Sequence, residues 1–97
     1  MRLRIGKRAN ADLDEIWLYL ARESGSSEIA TRAVGRIARA FDLLLRFPHA
    51  GRSCGSSRNP DRRSYASGDY LVYYCADKGI LQILRVIHAR RNLGSIL

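Results

Sequence analysis

Two neighbouring runs of β-branched and aromatic residues constrain the fold of this chain more than any other feature. The runs are YLVYYC at residues 70–75 and ILQILRVI at residues 80–87. Asp77-Lys78-Gly79 lies between them and supplies a turn in which glycine can adopt a positive φ. The pattern predicts a β-hairpin.

The second run is apolar on both faces of the predicted strand. Leu81, Ile83 and Ile87 share one parity, and Leu84 and Val86 share the other. A strand with one face in water alternates more cleanly than this. Either the strand is central and its open face is shallow, or a second protein covers that face, and we favour the second protein.

The size and composition of the chain predict one soluble globular domain. The chain has 97 residues, which suffice for one modest core, and 46% of them are hydrophobic. No apolar run approaches the roughly 18 residues that would suggest a membrane span. The N-terminal sequence MRLRIGKR lacks the features of a secretory signal, so we expect a cytoplasmic protein.

The two cysteines, Cys54 and Cys75, have no spacing to each other or to histidine that is typical of a zinc site. A disulfide needs an oxidising compartment, which nothing else in the sequence indicates. We therefore expect both thiols to be reduced and structural, and we expect no metal and no cofactor.

The charge of the chain indicates an anionic partner. The formal net charge is +8, and only Lys7 and Lys78 among the 17 basic residues are lysines. The planar guanidinium of arginine matches carboxylates and phosphates in a bidentate manner. Charge alone does not distinguish an acidic protein segment from nucleic acid, since both are attracted by the same field.

Two helices are predicted after a short strand at residues 2–5. The first runs from about Asn10, which can cap it, to about Glu23, and its apolar stripe includes Trp17 as a core residue. The second begins near Ser26 or Ser27 and ends at about residue 46, before Phe47-Pro48. Gly35 is unfavourable inside this helix, and a close backbone approach is its expected compensation.

The rest of the chain completes an α+β pattern. Residues 47–61 are predicted to form a loop, and a strand follows near residues 62–66. The predicted order is β-α-α-β-β-β, an antiparallel helix hairpin packed on one face of a small, mainly antiparallel sheet. The other face of the sheet is then uncovered by this chain, which agrees with a covering partner.

The sequence resembles the ParE branch of the RelE/ParE toxin superfamily along almost its whole length. Typical features are Ala and Asp-Leu early in the first helix, as in residues 9–13, and Pro and Gly-Arg after the second helix, as in residues 48–52. The strongest similarity is Arg63, a Gly-x-Tyr turn exit at residues 68–70, Tyr74, and the segment Arg-Val-x-His-x-x-Arg at residues 85–91.

The resemblance implies that residues 1–97 form one toxin domain with a C-terminal tail at residues 89–97. It implies the toxin of a type II toxin–antitoxin system, bound by an acidic, ParD-like antitoxin in a heterotetramer or larger complex. The antitoxin, and not the toxin, would bind operator DNA. ParE-like toxins act on DNA gyrase, whereas RelE-like relatives cut messenger RNA on the ribosome. A third hypothesis is a protein that retains the fold and the partner but has lost toxicity.

The residues expected to act follow from these hypotheses. For a ribonuclease the catalytic candidates are Arg63, Arg85 and His88, although no tyrosine follows His88 to complete the usual set. The bland alternative for His88 is a hydrogen bond to a neighbouring loop. Contacts with gyrase are expected from five basic residues, Arg52, Arg63, His88, Arg90 and Arg91.

Contacts with the antitoxin are expected on the second helix and on the open face of the sheet. The residues are Arg32, Arg36, Arg39, Tyr70, Tyr74, Arg85 and Ile87. The three helix arginines could equally form an ordinary solvated face. Arg85 is expected to point to the open face beside Tyr70 or Tyr74 and to bind an antitoxin carboxylate or order the C-terminal segment, with an internal ion pair to Asp69 or Asp77 as the alternative.

Overall fold

The computed structural model describes residues 1–90. Its elements, in chain order, are β1 (Arg2–Ile5), α1 (Lys7–Ser24), α2 (Ser27–Arg46), β2 (Arg52–Ser53), β3 (Arg63–Ser67), β4 (Tyr70–Asp77) and β5 (Ile80–His88). The α+β architecture is as predicted, with one addition. The two-residue strand β2 lies inside the segment that the sequence predicted to be a loop, and it is too short to leave a period-2 pattern.

The five strands form one mixed sheet in the order β1-β5-β4-β3-β2. Only β1 and β5 are parallel, and the other neighbours are antiparallel. The first strand therefore pairs with the last one, and both helices lie in the chain between them. Strand β5 lies inside the sheet, between β1 and β4. This central position was one of the two explanations offered for its apolar residues on both faces.

The hairpin of β4 and β5 has the predicted tight turn. Lys78 has φ 51° and Gly79 has φ 77°, so both central residues are left-handed. Two consecutive positive φ values are the signature of the turn type that matches the twist of hairpin strands. Glycine carries no steric penalty there.

A β-bulge interrupts the same hairpin and changes which residues face the core. Tyr74 pairs with Ile83 and Tyr73 pairs with Arg85, which leaves Leu84 as an extra residue in β5. After the bulge, Val86 lies on the same face as Leu81 and Ile83. The predicted division of β5, with Val86 on the face opposite Ile83, was therefore wrong.

Both helices pack on one face of the sheet, where the core lies. The buried cluster joins residues of the two helices to residues of β4 and β5, namely Ala9, Ile37, Phe41, Leu44, Val72, Tyr74, Leu81, Ile83 and Val86. Except for Ile87, residues on the opposite face of β4 and β5 remain at least partly exposed. The described part of the chain thus covers one side of its sheet, as predicted.

Helix α1 begins one turn earlier than the sequence predicted. Gly6 is the N-cap and provides no side-chain hydrogen bond, whereas Asn10 lies inside the helix and donates from Nδ2 to the Ile5 carbonyl at 3.4 Å. Since the Gly6 amide donates to the Ile83 carbonyl at 2.9 Å, the sheet itself fixes this entry. The helix ends at Gly25, with φ 69°.

Trp17 lies at the contact between the two helices and outside the buried cluster. It is half-buried, and its Nε1 donates to Thr31 Oγ1 at 3.1 Å. The prediction of a core tryptophan was wrong, because Trp17 is only half-buried and its indole is bound to Thr31 of α2.

Helix α2 has the predicted limits. Ser26 caps it by accepting a hydrogen bond from the Ile29 amide at 3.2 Å, and Phe47 ends it. Gly35 has open space where a Cβ would lie, with no atom within 4 Å. The expected close backbone approach at this glycine is therefore absent.

No helix within residues 1–90 is long and apolar enough to cross a bilayer.

Candidate functional site: a polar cleft, an arginine-bearing helix and an uncovered sheet face

A cleft of about 150 Å³ lies between α1 and the end of β5. It brings together acidic, phenolic and basic side chains from three elements, including Asp12, Glu15, Tyr19, Tyr70, Arg85 and His88. Most of the predicted site residues near the C-terminal strand therefore meet α1, an element from which the sequence predicted no site residue.

Asp12 and Arg85 form the centre of this cleft. The Arg85 guanidinium donates from Nε to Asp12 Oδ2 at 2.8 Å and from Nη2 to Oδ1 at 3.0 Å. The arrangement is bidentate and substantially buried, since the side chains of Arg85 and Asp12 are only 28% and 12% exposed. These hydrogen bonds raise the pKa of Arg85 above its ordinary value, against the opposing effect of desolvation.

The Asp12 carboxylate also accepts a backbone hydrogen bond from β5 where no neighbouring strand is present to do so. Strand β1 pairs with β5 only as far as Ile83, and the amide of Val86 beyond that point donates to Asp12 Oδ2 at 2.9 Å. One carboxylate thus binds both a guanidinium and a backbone donor. The alternative of an internal ion pair for Arg85 was right in kind, but the predicted partners Asp69 and Asp77 were wrong, because the partner is Asp12 of α1.

Tyr70 and His88 face each other across β4 and β5 at one side of the cleft. Their rings are 5.3 Å apart at an interplanar angle of 87°, an edge-to-face contact. His88 Nδ1 accepts a hydrogen bond from the Arg90 amide at 3.2 Å, and the Ala89 amide donates to the Asp69 carbonyl at 2.8 Å. The histidine therefore organises the end of β5, as in the bland alternative.

Of the three ribonuclease candidates, Arg85 and His88 line the same cleft, but Arg63 does not. Arg63 pairs with Tyr74, whereas His88 pairs with Tyr70, four positions away along β4, which corresponds to about 13 Å. Arg63 donates from Nη1 to the Gly51 carbonyl at 2.9 Å, and Arg85 is held by Asp12. Two of the three candidates are thus engaged in internal structure.

Tyr74 is part of the core and not of a surface. It is fully buried, its hydroxyl donates to the Pro48 carbonyl at 2.7 Å, and it accepts from the Gly51 amide at 2.9 Å. Burial raises the pKa of Tyr74, although the Gly51 amide and Arg63 act in the opposite direction. The prediction that Tyr74 contacts an antitoxin was wrong, because Tyr74 lies on the same face of β4 as the buried Val72.

Ile87 is also enclosed. It is 4% exposed and lines the cleft with Ile16 and Val86. Its expected role as an exposed antitoxin contact does not fit this position. Of the residues predicted on the sheet, Tyr70 remains half-buried at the cleft.

The three predicted arginines of α2 lie in solvent. Arg32, Arg36 and Arg39 are all exposed, and Arg32 lies 3.5 Å from Glu28 in a pair whose side chains are 66% and 82% exposed. Such an exposed pair contributes little to stability. These side chains are available to a partner without disturbing the fold.

The uncovered face of the sheet has a mixed surface with basic edges. Half-buried residues of β4 and β5, among them Leu71, Tyr73 and Gln82, lie on this face. Exposed arginines lie at both edges of the same face, Arg2 and Arg4 on β1 and Arg52 on β2. The sequence predicted the uncovered face and Arg52, but not the two arginines of β1.

The remaining predicted target-binding residues lie at the end of the described chain. Arg90 is exposed, whereas Arg91 and the rest of the tail lie outside the described residues. Cys54 and Cys75 are both free and half-buried, and residues 1–90 contain no group of three or more histidine, cysteine or acidic residues placed to hold a metal ion.

Comparison with known proteins agrees with this geometry. A solved structure of a chromosomal ParDE TA system from P. aeruginosa superposes with a TM-score of 0.78 at 26% identity, covering 93% of this chain and 97% of that one. Toxin ParE1 of Caulobacter vibrioides is 33% identical over 95 residues, which cover 94% of this chain and 96% of the relative. Toxin ParE1 of Mycobacterium tuberculosis is 28% identical over 85 residues, 88% of this chain and 86% of the relative.

The fold and the site therefore define a toxin domain of the RelE/ParE superfamily. Residues 3–93 match the family model described as the ParE toxin of the type II toxin–antitoxin system parDE. The chain belongs to this ParE toxin family and is the toxin of a type II ParDE system.

Proposed function

We propose that this ParE toxin inhibits DNA gyrase by binding to it, without catalysing a reaction, and that a ParD-like antitoxin neutralises it. The observation that carries the proposal is that Arg63 lies outside the cleft shared by Arg85 and His88, and that Arg85 is already bound by Asp12. An RNA-cleaving site needs a base, an acid and a cation around one phosphate. Here the side chains of Arg63 and Arg85 are bound to Gly51 and Asp12, and His88 lies at the end of β5, opposite Tyr70.

Contacts with gyrase would come from the exposed basic residues at the sheet. The described candidates are Arg52 on the uncovered face and Arg90 after β5, which are exposed, and His88 at the cleft, which is half-buried. Arg63 is a weaker candidate because its guanidinium binds the Gly51 carbonyl.

The antitoxin would contact the arginine-bearing face of α2 and the region around Tyr70. The net charge of +8 on the toxin favours an acidic partner, and exposed arginines accelerate the association of oppositely charged proteins. A complex of the two proteins, a heterotetramer or larger, then holds the toxin inactive.

A supercoiling assay separates the two candidate activities. Purified toxin is added to DNA gyrase, relaxed plasmid and ATP in the absence of ribosomes, and we expect loss of supercoiling that added antitoxin restores. In parallel, programmed ribosomes with a defined message are incubated with the toxin, and we expect the message to remain intact. Message cleavage without gyrase inhibition would overturn the proposal in favour of a RelE-like ribonuclease.

A charge-reversal variant tests the proposed gyrase surface. Arg52→Glu should weaken gyrase inhibition, whereas Arg32→Glu on the helix α2 should not.

If neither gyrase inhibition nor message cleavage is seen, and expression of the toxin alone leaves growth unchanged, the protein has retained the fold without toxicity.

A further inference from the structure

A shallow groove on the last turns of α2 has the properties of a docking site. Leu43 and Phe47 stand one helical turn apart on its floor and are 37% and 62% exposed. The groove is about 250 Å³ in volume and is completed by Arg39, Asp42 and Arg46.

The exposure of these two apolar side chains is not explained by the packing of the toxin. The buried side of α2 carries Ile37, Phe41 and Leu44, and these residues contact the sheet. Phe47 follows the helix as its cap, and its amide donates to the Leu43 carbonyl at 2.9 Å, so its backbone continues the last turn of the helix beyond Leu43. Exposed apolar pairs bordered by polar residues are typical of protein contact sites.

The charge around the groove favours an acidic partner. Arg39 and Arg46 flank the two apolar residues, and Asp42 is the single acidic residue among the lining side chains. Within residues 1–90, neither arginine has an ion-pair partner within 4.0 Å. Arg36 lies one turn before Arg39 on the same side of the helix, so the positive charge continues along α2 away from the groove.

We propose that this groove seats one large apolar side chain of a helical segment of the antitoxin. Carboxylates one turn before and after that side chain would bind Arg46 and Arg39. The inference rests on the proposed antitoxin partner and adds where, and by which chemistry, that partner is anchored. Phe47 is the expected hot spot, because it is aromatic and is the most exposed apolar residue that lines the groove.

The test compares truncations of two exposed apolar side chains, one inside the groove and one outside it. The probe is the full-length antitoxin encoded beside this toxin, titrated by calorimetry into wild-type toxin and into the variants Phe47→Ala and Leu18→Ala. Leu18 on α1 is 48% exposed and does not line the groove, so it is the matched control. We expect Phe47→Ala to raise Kd at least about 30-fold, as for an aromatic hot spot, and Leu18→Ala to change it less than about threefold.

A second variant keeps the test independent of any change in folding. Arg46→Glu alters only an exposed side chain, and it should slow association and reduce the dependence of Kd on salt. Thermal melts of each variant, compared with wild type, confirm that the titrated proteins are folded.

The outcomes separate this inference from the proposed function. Unchanged antitoxin affinity in Phe47→Ala, or an equal loss in Leu18→Ala, overturns the groove even if gyrase is inhibited. A selective loss of affinity in Phe47→Ala supports the groove even if the wild-type toxin leaves gyrase untouched. Gyrase inhibition by free Phe47→Ala should equal that of wild type, since the groove is opposite the sheet residues proposed to contact gyrase.

Discussion

Asp12 and Arg85 form a bidentate ion pair although 73 positions separate them in the sequence. The pair joins α1 to the part of β5 that β1 does not reach, and the same carboxylate accepts the Val86 amide. A single side chain thus substitutes for a strand neighbour and neutralises a charge in the middle of an apolar strand.

Removing either partner of this pair should destabilise the fold. Arg85→Met should lower the free energy of unfolding by about 2–3 kcal/mol, because it leaves a largely buried carboxylate without its cation. Arg85→Lys should lose less, since it keeps the charge but not the bidentate geometry. Urea denaturation measures both changes.

The raised pKa of Arg85 means that the guanidinium stays charged up to strongly alkaline pH. The contribution of the ion pair to stability is therefore lost only above that range.

The exposed pair on α2 is the control for this experiment. Glu28→Ala removes the partner of Arg32 and should cost about 0.5 kcal/mol or less, because both side chains are mostly in solvent. Equal losses in Arg85→Met and Glu28→Ala would contradict the structural role of the Asp12–Arg85 pair.

The buried hydroxyl of Tyr74 should be important for the loop before β2. Tyr74→Phe leaves the Pro48 carbonyl and the Gly51 amide without their partner, which should cost about 1–3 kcal/mol. Tyr73→Phe, on the uncovered face, should cost much less. Thermal unfolding followed by circular dichroism would measure the difference, and a neutral Tyr74→Phe would show that water replaces the hydroxyl.

Stability should also fall at high pH because of Tyr74. Its pKa is raised in the folded state, so the unfolded chain releases the phenolic proton first. The stabilisation is complete below the unfolded pKa of about 10 and is lost as the pH rises from there through the folded value. A series of denaturation curves between pH 8 and pH 11 should show a steeper decline for wild type than for Tyr74→Phe. Parallel curves would contradict the assignment to this residue.

Replacing Gly51 or Gly35 with alanine should change the free energy of unfolding in opposite directions. A Cβ at Gly51 would lie 2.6 Å from the Tyr74 hydroxyl and 2.7 Å from the Ser64 carbonyl oxygen, so Gly51→Ala should cost about 1–3 kcal/mol. Gly35 lies in a helix with open space around it, so Gly35→Ala should add up to about 1 kcal/mol. Chemical denaturation of the two variants beside wild type tests both signs at once.

The Cys75 thiol should react slowly in the native protein. Burial raises its pKa, with Asp61 and Asp77 adding to the effect and Arg62 opposing it. The thiolate fraction is therefore small at neutral pH, and alkylation by iodoacetamide should be slower in the native state than in urea. Peptide mapping of the alkylated protein distinguishes Cys75 from Cys54. Equal rates in the two states would show that the thiol is accessible and ordinary.

Local sequence signals were sufficient for most of the fold. The tight turn at Lys78-Gly79 and the serine cap of α2 depend on neighbouring residues, and both were predictable for that reason. The start of α1 was not, because Gly6 is held by a hydrogen bond to Ile83 in the last strand. A propensity pattern carries no information about such a distant contact.

The candidate site was less predictable than the fold, for two reasons. The extra residue Leu84 moves each later side chain of β5 to the face of the sheet opposite the one that simple alternation predicts. A periodic pattern does not reveal where such a bulge lies. The partner of Arg85 comes from α1, and nothing local marks Asp12 as that partner. The exposed α2 arginines, in contrast, followed directly from helical spacing.

The parallel pairing of β1 with β5 has a consequence for the newly made toxin. Strand β1 has no neighbour in the sheet until β5, the last strand of the domain, has been synthesised. Contacts between such distant segments form late in folding. The toxin domain can therefore complete its fold only when its translation is essentially finished. An antitoxin that is already present has the whole of this time in which to reach the toxin.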